Sequence, residues 1–412
     1  MRTLFVSSQR PHPPNAGGRQ RTHLLITALR RCGPVDLFLL DDPGHISNED
    51  RKVLERDFNL VGAAGLRGMS DRGVWKILKP LRPGLVDRLA REFVGFDCSY
   101  KVQRAAAIQL ARVARASAYD VVVGRYLLPM VQSGAFELGL PTVVDVDDVE
   151  LQLCRERLET GRISRLERLM LVRALRKLEE NVPVWTSKAA HIWLSSASDL
   201  ENANHRKVSI LPNVPFFNGS VVEDISMPDE SRSQSVLVVG HLGWPANIRG
   251  IDWFIETVWS RIRESAPAVE LRIVGGSLRR RLAEKWRKSP GVTVVGYVDD
   301  LTSEYQNTTV VVAPIIDGGG TKIKVLESLQ YRRPAVVTVQ ALRGYERVLR
   351  HGESLLVADD PAQFADSVIR LLGDPDLRKR LANAGASMVA QHFSKDAFVE
   401  EVHRTIERLE LA

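Results

Sequence analysis

Short runs of apolar, often β-branched residues alternate along the chain with longer amphipathic stretches. Each run is continuously apolar and bounded by turn residues, as is typical of strands buried on both faces of a parallel sheet. Strands that alternate with helices indicate an α/β fold. In the first half the pattern predicts a helix over about Thr22–Arg31 and strands at Thr3–Val6, Val35–Leu40, Val121–Val123, Thr142–Val146, His191–Ser195 and Val208–Leu211.

The polar segment Asp224–Gln234 interrupts this rhythm and predicts an interdomain linker. The alternation then restarts, with helical character from Pro361 onward. We therefore expect two Rossmann-like domains, an N-terminal one over 1–223 and a C-terminal one over 235–390, with a last helix over 391–412 that packs back toward the first domain. The predicted strands of the second domain are Val236–Val239, Leu271–Val274, Val292–Val295, Thr309–Ala313, Ala335–Thr338 and Ser354–Val357.

Parallel sheets bind ligands beyond the carboxyl ends of their strands, and a two-domain protein commonly binds them in the cleft between its domains. The loops that follow the predicted strands are therefore the places to look for chemistry. Both sheets are expected to face such a central cleft.

The net charge is +7 over 412 residues, which suits nucleic acid, an anionic membrane surface or a phosphorylated ligand. Aromatic residues make up only 6% and no nucleic-acid-binding motif is present, so nucleic acid is disfavoured. The cysteines at 32, 98 and 154 form neither a metal-ligand spacing nor a disulfide framework. No apolar run approaches the roughly 20 residues of a membrane helix, and the short apolar start does not resemble a signal peptide. We expect a cytoplasmic protein.

The most specific pattern lies at Asp317–Pro334, which reads DGGGTKIKVLESLQYRRP. Its three glycines can expose backbone N–H groups, and the helix that starts near Thr321 points its positive dipole end into the same loop. Lys322 and Lys324 add positive charge, so the segment predicts a seat for a diphosphate. Glu327, about two turns on, can accept two hydroxyl hydrogen bonds, which suits a ribose or a sugar diol. The alternative is a flexible loop before a helix with a surface glutamate.

The stretch GGGTKIKVLESLQYRRPAVVT resembles the donor-binding signature of retaining glycosyltransferases of the GT-B fold, specifically family four. VLVVGHLGWPANIRGIDWFIETVWSRIR is similar to the opening of that family's C-terminal domain, and RTLFVSSQRPHPPNAGGRQRTHLLITAL resembles its N-terminal start. The resemblance implies a UDP- or GDP-linked sugar donor, no essential metal or other cofactor, and retention of anomeric configuration. It also implies a saccharide or lipid-linked acceptor, as in bacterial polysaccharide and glycolipid biosynthesis.

The chain departs from the family pattern around the predicted diphosphate seat. The first of two usual glutamates falls on Gly319, and the usual Arg and Lys positions of the second domain hold His241 and Ala246. Arg249, Lys322 and Lys324 would then supply the positive charge, with Lys322 and Glu327 as catalytic groups. The predicted donor-binding residues are Gly17, Gly18, Gly240, Asn247, Arg249, Tyr297, Val298, Gly318, Gly319, Gly320, Thr321 and Lys324. The backbone of Tyr297 and Val298 would meet the base of the nucleotide.

An acidic run, Asp145–Glu150, follows a predicted strand of the first domain. The resemblance places a histidine at Asp147, which is therefore a candidate catalytic residue that contacts the transferred sugar or receives a proton. The alternatives are an acidic metal site and an N-cap cluster for the next helix. Arg125 pairs with this cluster or binds the acceptor, and Arg19 and Arg21 are predicted phosphate or acceptor contacts.

The segment Leu66–Phe96 interleaves large apolar residues with arginines and lysines. Such a segment binds an anionic membrane surface peripherally or simply covers a core. Two rival functions stay open at this stage. One is a sugar-nucleotide epimerase of the same fold, and the other is a non-catalytic nucleotide-binding or scaffold protein.

Overall fold

The computed structural model describes residues 1–14, 17–66, 100–146, 165–196, 207–215, 234–318 and 321–410, together with residues 151, 154, 155 and 158. The chain divides into two compact units. Unit 1 comprises Met1–Pro212 and Lys395–Ala412, and unit 2 comprises Asn213–Ser394. The predicted linker, apart from Gln234, lies outside the described residues.

Unit 1 is built on a parallel sheet with the strand order β3-β2-β1-β4-β5-β6-β7. The strands are β1 Thr3–Ser7, β2 Val35–Leu39, β3 Leu60–Ala63, β4 Val121–Arg125, β5 Thr142–Val146, β6 His191–Leu194 and β7 Val208–Ile210. The helices of this part are α1 Gly17–Leu29, α2 Asn48–Phe58, α3 Arg104–Ala116, α4 Leu127–Gln132 and α5 Arg165–Thr186. The order reverses between β1 and β4, which makes their carboxyl ends the switch point of the sheet.

Unit 2 repeats this plan with the parallel order β10-β9-β8-β11-β12-β13. Its strands are β8 Ser235–Val239, β9 Glu270–Val274, β10 Val292–Gly296, β11 Val310–Ala313, β12 Ala335–Val337 and β13 Leu356–Val357. Its helices are α6 Pro245–Thr257, α7 Trp259–Ser265, α8 Arg280–Trp286, α9 Thr302–Gln306, α10 Ile323–Gln330, α11 Val339–Leu342, α12 Pro361–Gly373 and α13 Pro375–His392. Here the switch point lies between β8 and β11.

The last helix, α14 Lys395–Glu410, belongs to unit 1. It packs beside α1. The buried indole of Trp193 on β6 donates from Nε1 to Thr405 Oγ1 at 3.0 Å, which satisfies both polar groups inside the unit. Phe398, Val399, Val402 and Ile406 form its buried stripe at helical spacing.

The central strands are continuously apolar because helices cover both faces of each sheet. This confirms the predicted α/β class, and every predicted strand is present with its ends shifted by one or two residues at most. The pattern missed β3, a short edge strand of four residues that contains Gly62 and is only partly buried. Helix α1 begins at Gly17 instead of Thr22, and the Thr22 hydroxyl donates back to Gly18 O at 2.9 Å.

Within the described part of the chain, no helix has the length and apolar character that a membrane crossing requires.

Arg333 is a buried charge that the fold of unit 2 satisfies with backbone carbonyl groups. It is fully buried and donates to the carbonyl oxygens of Tyr305 and Gln306, which closes the carboxyl end of α9.

Candidate functional site

The loops after β8 and β11 meet at the switch point of unit 2, beneath the first turns of α6. Gly250 of α6 lies so close to the loop after β11 that a Cβ on it would be 2.0 Å from Pro314 O. One turn earlier, Ala246 Cβ would lie 3.0 Å from a Cβ placed on Gly318. The helix and the loop after β11 are therefore packed backbone against backbone.

Gly318 starts the predicted glycine loop in a conformation that favours glycine, with φ at +93°. Its carbonyl oxygen accepts hydrogen bonds from Lys322 Nζ at 3.0 Å and from Gln340 Nε2 at 2.7 Å. Thr321, at the far end of the loop, accepts from Asn213 Nδ2 at 2.6 Å. The side chains of Lys322 and Gln340 thus fix Gly318, and that of Asn213 fixes Thr321, the two described ends of the loop.

Lys324 reaches from the first turn of α10 to the loop after β8. Its ammonium donates to Asn247 Oδ1 at 2.7 Å, and Asn247 Nδ2 donates to His241 O at 2.9 Å. A Cβ on Gly240 would lie 2.8 Å from Lys324 Nζ and 3.0 Å from Asn247 Nδ2. The structure therefore brings Gly240 and Asn247 together with Lys324, which lies 77 residues beyond Asn247 along the chain.

Glu327 lies one turn beyond Lys324 on the same helix and is partly buried. Burial raises the pKa of Glu327 to about 7, and the nearby Lys324 charge opposes that rise. Burial, and then the charge of Lys322, lower the pKa of Lys324 to about 8, against the influence of Glu327. A carboxyl group and an ammonium group whose pKa values both lie near neutrality are typical of a functional site.

Arg249 of α6 and Asp317 form a forked ion pair. Nε donates to Oδ2 at 2.6 Å and Nη2 donates to Oδ1 at 2.8 Å. The Asp317 side chain is 25% exposed and that of Arg249 is 51% exposed. The sequence predicted that Arg249 contacts the diphosphate, whereas in this structure its fork lies on a carboxylate.

Tyr297 and Val298, the predicted base contacts, follow β10 on the same side of the sheet. The Tyr297 side chain is 60% exposed and lies over Gly276, where a Cβ would be 3.2 Å from Tyr297 Cδ2. The partly buried side chain of Val298 packs against a buried cluster that includes Tyr305 and Tyr331. The rings of Tyr305 and Tyr331 stack at 4.4 Å between centroids. Burial raises the pKa of both phenols, and the charge of Glu327 adds to the rise, for Tyr331 after that of Asp300. The predicted base side of the site therefore adjoins the glutamate.

In unit 1, Arg21 and Arg125 converge on one buried carboxylate, that of Asp145. Arg21 Nη2 lies 2.6 Å from Asp145 Oδ1, and Arg125 Nε lies 2.9 Å from Asp145 Oδ2. All three side chains are almost completely buried. The structure thus differs from the expectation that both arginines contact an acceptor, and for Arg125 it shows the pairing that the sequence left open.

The pair of arginines also ties down backbone at the carboxyl edge of this sheet. Arg21 donates to Leu211 O at 2.8 Å, and Arg125 donates to Gly18 O. The planes of both guanidinium groups find aromatic partners, Arg21 on Phe398 and Arg125 on Tyr126. The charges are consequently satisfied inside the protein, as buried ions must be.

Gly17 and Gly18 form the first turn of α1 at the switch point of unit 1, together with Arg19. A Cβ at Gly17 would meet no atom within 4 Å, whereas one at Gly18 would lie 3.6 Å from the Tyr126 hydroxyl. Tyr126 itself has φ at +63° and ψ at 134°, a strained conformation for a residue with a side chain. The glycine turn therefore lies directly beside a strained tyrosine at the end of β4.

Several predicted residues lie outside the described part of the chain. They are Gly319 and Gly320 of the glycine loop, the candidate catalytic Asp147 with the rest of the acidic run after Val146, and the basic amphipathic segment from 67 to 96. Among the residues that the structure does describe, His, Cys, Asp and Glu side chains form no group of three that could hold a metal ion.

Three residues of the unit 2 site had no predicted role. Asp317 stands beside the glycines, and its acid side chain was the available signal. Gln340 lies in the first turn of α11, just after a strand end, a position that indicates a ligand loop. Asn213 gives no signal, because 108 residues separate it from its partner Thr321.

In comparison with known proteins, most of the unit 2 site falls within a recognised domain. Residues 233–374 match the family described as glycosyl transferases group 1. A phosphatidyl-myo-inositol mannosyltransferase of Mycobacterium leprae is 32% identical over 140 residues, which cover 32% of this chain and 36% of the relative. The chain spans less than half the length of the curated relatives that it matches.

Solved structures resemble nearly the whole chain. Sucrose-phosphate synthase from Thermosynechococcus elongatus superposes with a TM-score of 0.68 at 16% identity, with 100% of both chains covered. Anabaena HepE in complex with UDP and glucose has a TM-score of 0.64 at 13% identity, covering 99% of this chain and 100% of HepE. The fold is therefore that of the GT-B glycosyltransferases.

Proposed function

We propose that this protein is a retaining glycosyltransferase that moves a hexosyl group from a nucleotide sugar to a saccharide or lipid-linked acceptor. The observation that carries the proposal is that Lys324, in the first turn after the glycine loop, places its ammonium against Gly240 and Asn247 at the switch point of unit 2. The match of residues 233–374 to group 1 glycosyl transferases supports it. So does the UDP and glucose complex of HepE, and it favours UDP over GDP as the first donor to test.

In this proposal the diphosphate of the donor lies against the amino end of α10. The N–H groups of Gly318 and Thr321, with those of Gly319 and Gly320, donate to its oxygens, and Lys322 and Lys324 supply positive charge. Glu327 accepts hydrogen bonds from the ribose, and the backbone of Tyr297 and Val298 contacts the base. Different residues of unit 2 would thus contact the base, the ribose and the diphosphate of the donor.

The difficult step is departure of the nucleoside diphosphate, because negative charge accumulates on it as the bond from the anomeric carbon to the phosphate oxygen breaks. Lysine ammonium groups and helix N–H groups that are already oriented stabilise that charge as it forms. The acceptor oxygen then bonds to the anomeric carbon on the face that the leaving group vacates and loses its proton. Asp147 would contact the transferred sugar or receive that proton, and Arg19 would contact the acceptor.

We propose further that the reaction needs no divalent metal, because lysines and a helix end surround the diphosphate seat. Activity should survive a chelator. Loss in the chelator with recovery on adding Mg²⁺ or Mn²⁺ would contradict this and would direct attention to the acidic run from Asp145 to Glu150.

The proposed location is the cytoplasmic face of a membrane, held peripherally through the basic segment between Trp75 and Arg91. Each basic side chain near an anionic bilayer contributes roughly 1 kcal/mol. Co-sedimentation with anionic vesicles should fall with salt and with the change of Lys76, Lys79 and Arg82 to Glu. A wild type that stays in the supernatant at low salt would favour a soluble acceptor.

The test of the main proposal is a thermal-shift screen of wild type against a panel of nucleotide sugars, since a ligand that binds the native state raises its stability. Glu327→Gln keeps the shape of the side chain but removes the charge, and losing a charged hydrogen bond costs about 1.5–3 kcal/mol. The variant should show a reduced shift and almost no transfer while its own melting curve stays cooperative. Unchanged kinetics would overturn the site.

Anomeric analysis of the product, with and without acceptor, tests retention and separates the rivals. An epimerase would convert the nucleotide sugar without acceptor, and a scaffold protein would bind it without turnover. The comparisons favour neither rival over a glycosyltransferase.

A further inference from the structure

We infer that Asp317 is a positioning residue for the donor diphosphate, and that Arg249 acts through Asp317 instead of contacting the phosphates. This inference rests on the proposed function, because it concerns the same diphosphate seat. The forked ion pair between α6 and the loop after β11 would fix the position of Gly318, at which the glycine loop starts.

The geometry of the pair favours this role. Both carboxylate oxygens of Asp317 are engaged, one by Arg249 Nε at 2.6 Å and the other by Nη2 at 2.8 Å. A fork matched to a carboxylate in this way is among the stronger and more directional ion pairs. A phosphate could use the same fork only by displacing Asp317, which would leave an uncompensated negative charge next to the incoming diphosphate.

The position of Asp317 in the chain turns this pair into a constraint on the site. Asp317 directly precedes Gly318, whose φ of +93° begins the glycine loop. Gly318 is fixed from its other side by Lys322 Nζ and Gln340 Nε2 on its carbonyl oxygen. Ala246, on the same helical turn as Arg249, fills the space above it. The ion pair therefore completes a set of contacts that fix the backbone of Gly318, where the glycine loop begins.

A simpler interpretation is that this is an ordinary surface ion pair, which contributes little to any property. Unit 2 contains a matched control for that interpretation. Arg261 and Asp366 form a pair of 2.8 Å, with side chains 51% and 57% exposed, on α7 and α12. If exposed ion pairs in general affected donor binding through stability, this second pair would do so too.

The experiment compares wild type, Asp317→Asn, Arg249→Gln, the double variant and the control Asp366→Asn. Calorimetry at pH 7.5 measures the affinity of each for UDP and for uridine, which lacks the diphosphate. Steady-state kinetics with the nucleotide sugar that the screen identifies measure KM and kcat. Thermal melting of the unliganded proteins shows whether each variant is folded.

We expect each single variant to bind UDP roughly ten-fold more weakly, as one lost charge-assisted interaction implies. The double variant should be no worse than either single variant, because both changes break the same interaction. Uridine affinity should stay unchanged, the loss should appear in the donor KM more than in kcat, and Asp366→Asn should match wild type.

Three outcomes would overturn the inference. The first is UDP binding by Asp317→Asn that equals or exceeds wild type while Arg249→Gln is weakened, since this identifies Arg249 as a direct phosphate ligand. The second is an additive loss in the double variant. The third is an equal loss of uridine and UDP affinity. A wild type that binds no nucleoside diphosphate would instead overturn the proposed function.

Discussion

Lys324 and Asn247 face each other across the switch point of unit 2, with the ammonium 2.7 Å from the amide oxygen. Asn247 is itself oriented by the hydrogen bond from its Nδ2 to His241 O. The family that this sequence resembles carries cations at the positions of His241 and Ala246. Here an ammonium from a different helix, α10, lies at the end of β8 in that same loop. The positive charge that the loop after β8 lacks is thus supplied by Lys324, which lies 77 positions beyond Asn247 in the sequence.

We expect Lys324→Gln to weaken nucleotide-sugar binding by about ten-fold or more, the cost of a lost charged hydrogen bond to phosphate. Loss of a partly buried charge should leave melting unchanged or slightly raised. Titration calorimetry measures the affinity. Lys379→Gln, an exposed lysine of α13, is the control. Wild-type affinity in Lys324→Gln would remove this residue from the site.

Donor binding should be strongest between about pH 7 and pH 8. The carboxylate of Glu327 loses its proton near pH 7, and the ammonium of Lys324 loses its own near pH 8. Below this window Glu327 is neutral and accepts ribose hydrogen bonds less well. Above it Lys324 no longer carries charge for the diphosphate. Because the two groups interact, the measured midpoints belong to the pair.

These two pKa shifts also make folding stability depend on pH, and the contributions of Glu327 and Lys324 change in opposite directions as the pH rises. The pKa of Glu327 is raised from 4.5, so its contribution to stability falls as pH rises through about 7. The pKa of Lys324 is lowered from 10.5, so its contribution falls as pH drops through about 8. The affinity for an intact nucleotide sugar, measured against pH, checks the predicted window for donor binding. An intact nucleotide sugar is used because its diphosphate lacks the ionisation near pH 6 of a terminal phosphate. A flat profile from pH 6 to pH 9 would contradict it.

Gly318→Ala should destabilise unit 2 by about 1–3 kcal/mol, because its positive φ is strained for any residue with a side chain. The new Cβ would also press on Ala246 Cβ at 3.0 Å. Gly373→Ala is the matched control, since it lies at the end of α12 with open space around it and no positive φ. Denaturant unfolding of both variants measures the difference. Equal stability of the two would show that the loop adapts to a side chain.

Asp145→Asn should cost about 3–5 kcal/mol of folding free energy, the range for breaking a buried ion pair from one side. It leaves two fully buried arginines without their shared carboxylate. Glu179→Gln removes one partner of an exposed pair with Arg155 and should change stability by less than about 1 kcal/mol. Chemical denaturation distinguishes these cases. A mild effect of Asp145→Asn would indicate that water reaches the two arginines.

The sheets were predictable from the sequence because each central strand is buried on both faces and must be continuously apolar. The pattern did not predict β3, because an edge strand is only partly buried and its residues need not be continuously apolar. The glycine loop and Glu327 were predictable because they lie within one strand–loop–helix segment. Local sequence there determines which groups are neighbours.

Contacts between distant segments were beyond such reasoning. Arginine is usually exposed, so nothing in the sequence around Arg21 indicated that its guanidinium is buried on Asp145. Similarly, the charge of Arg249 suggested a phosphate ligand until the structure placed Asp317 against its fork. Residue type predicts what a side chain can bind, and only the fold determines which partner reaches it.

The close approach of Gly250 to Pro314 O has a consequence for motion. With no side chain between them, α6 cannot slide over the loop after β11 without a steric clash, so the two segments must open together. Deuterium should therefore enter the amides of α6 and of the Pro314–Gly318 stretch at similar rates. A nucleotide bound at the proposed diphosphate seat should therefore slow exchange along the helix as well.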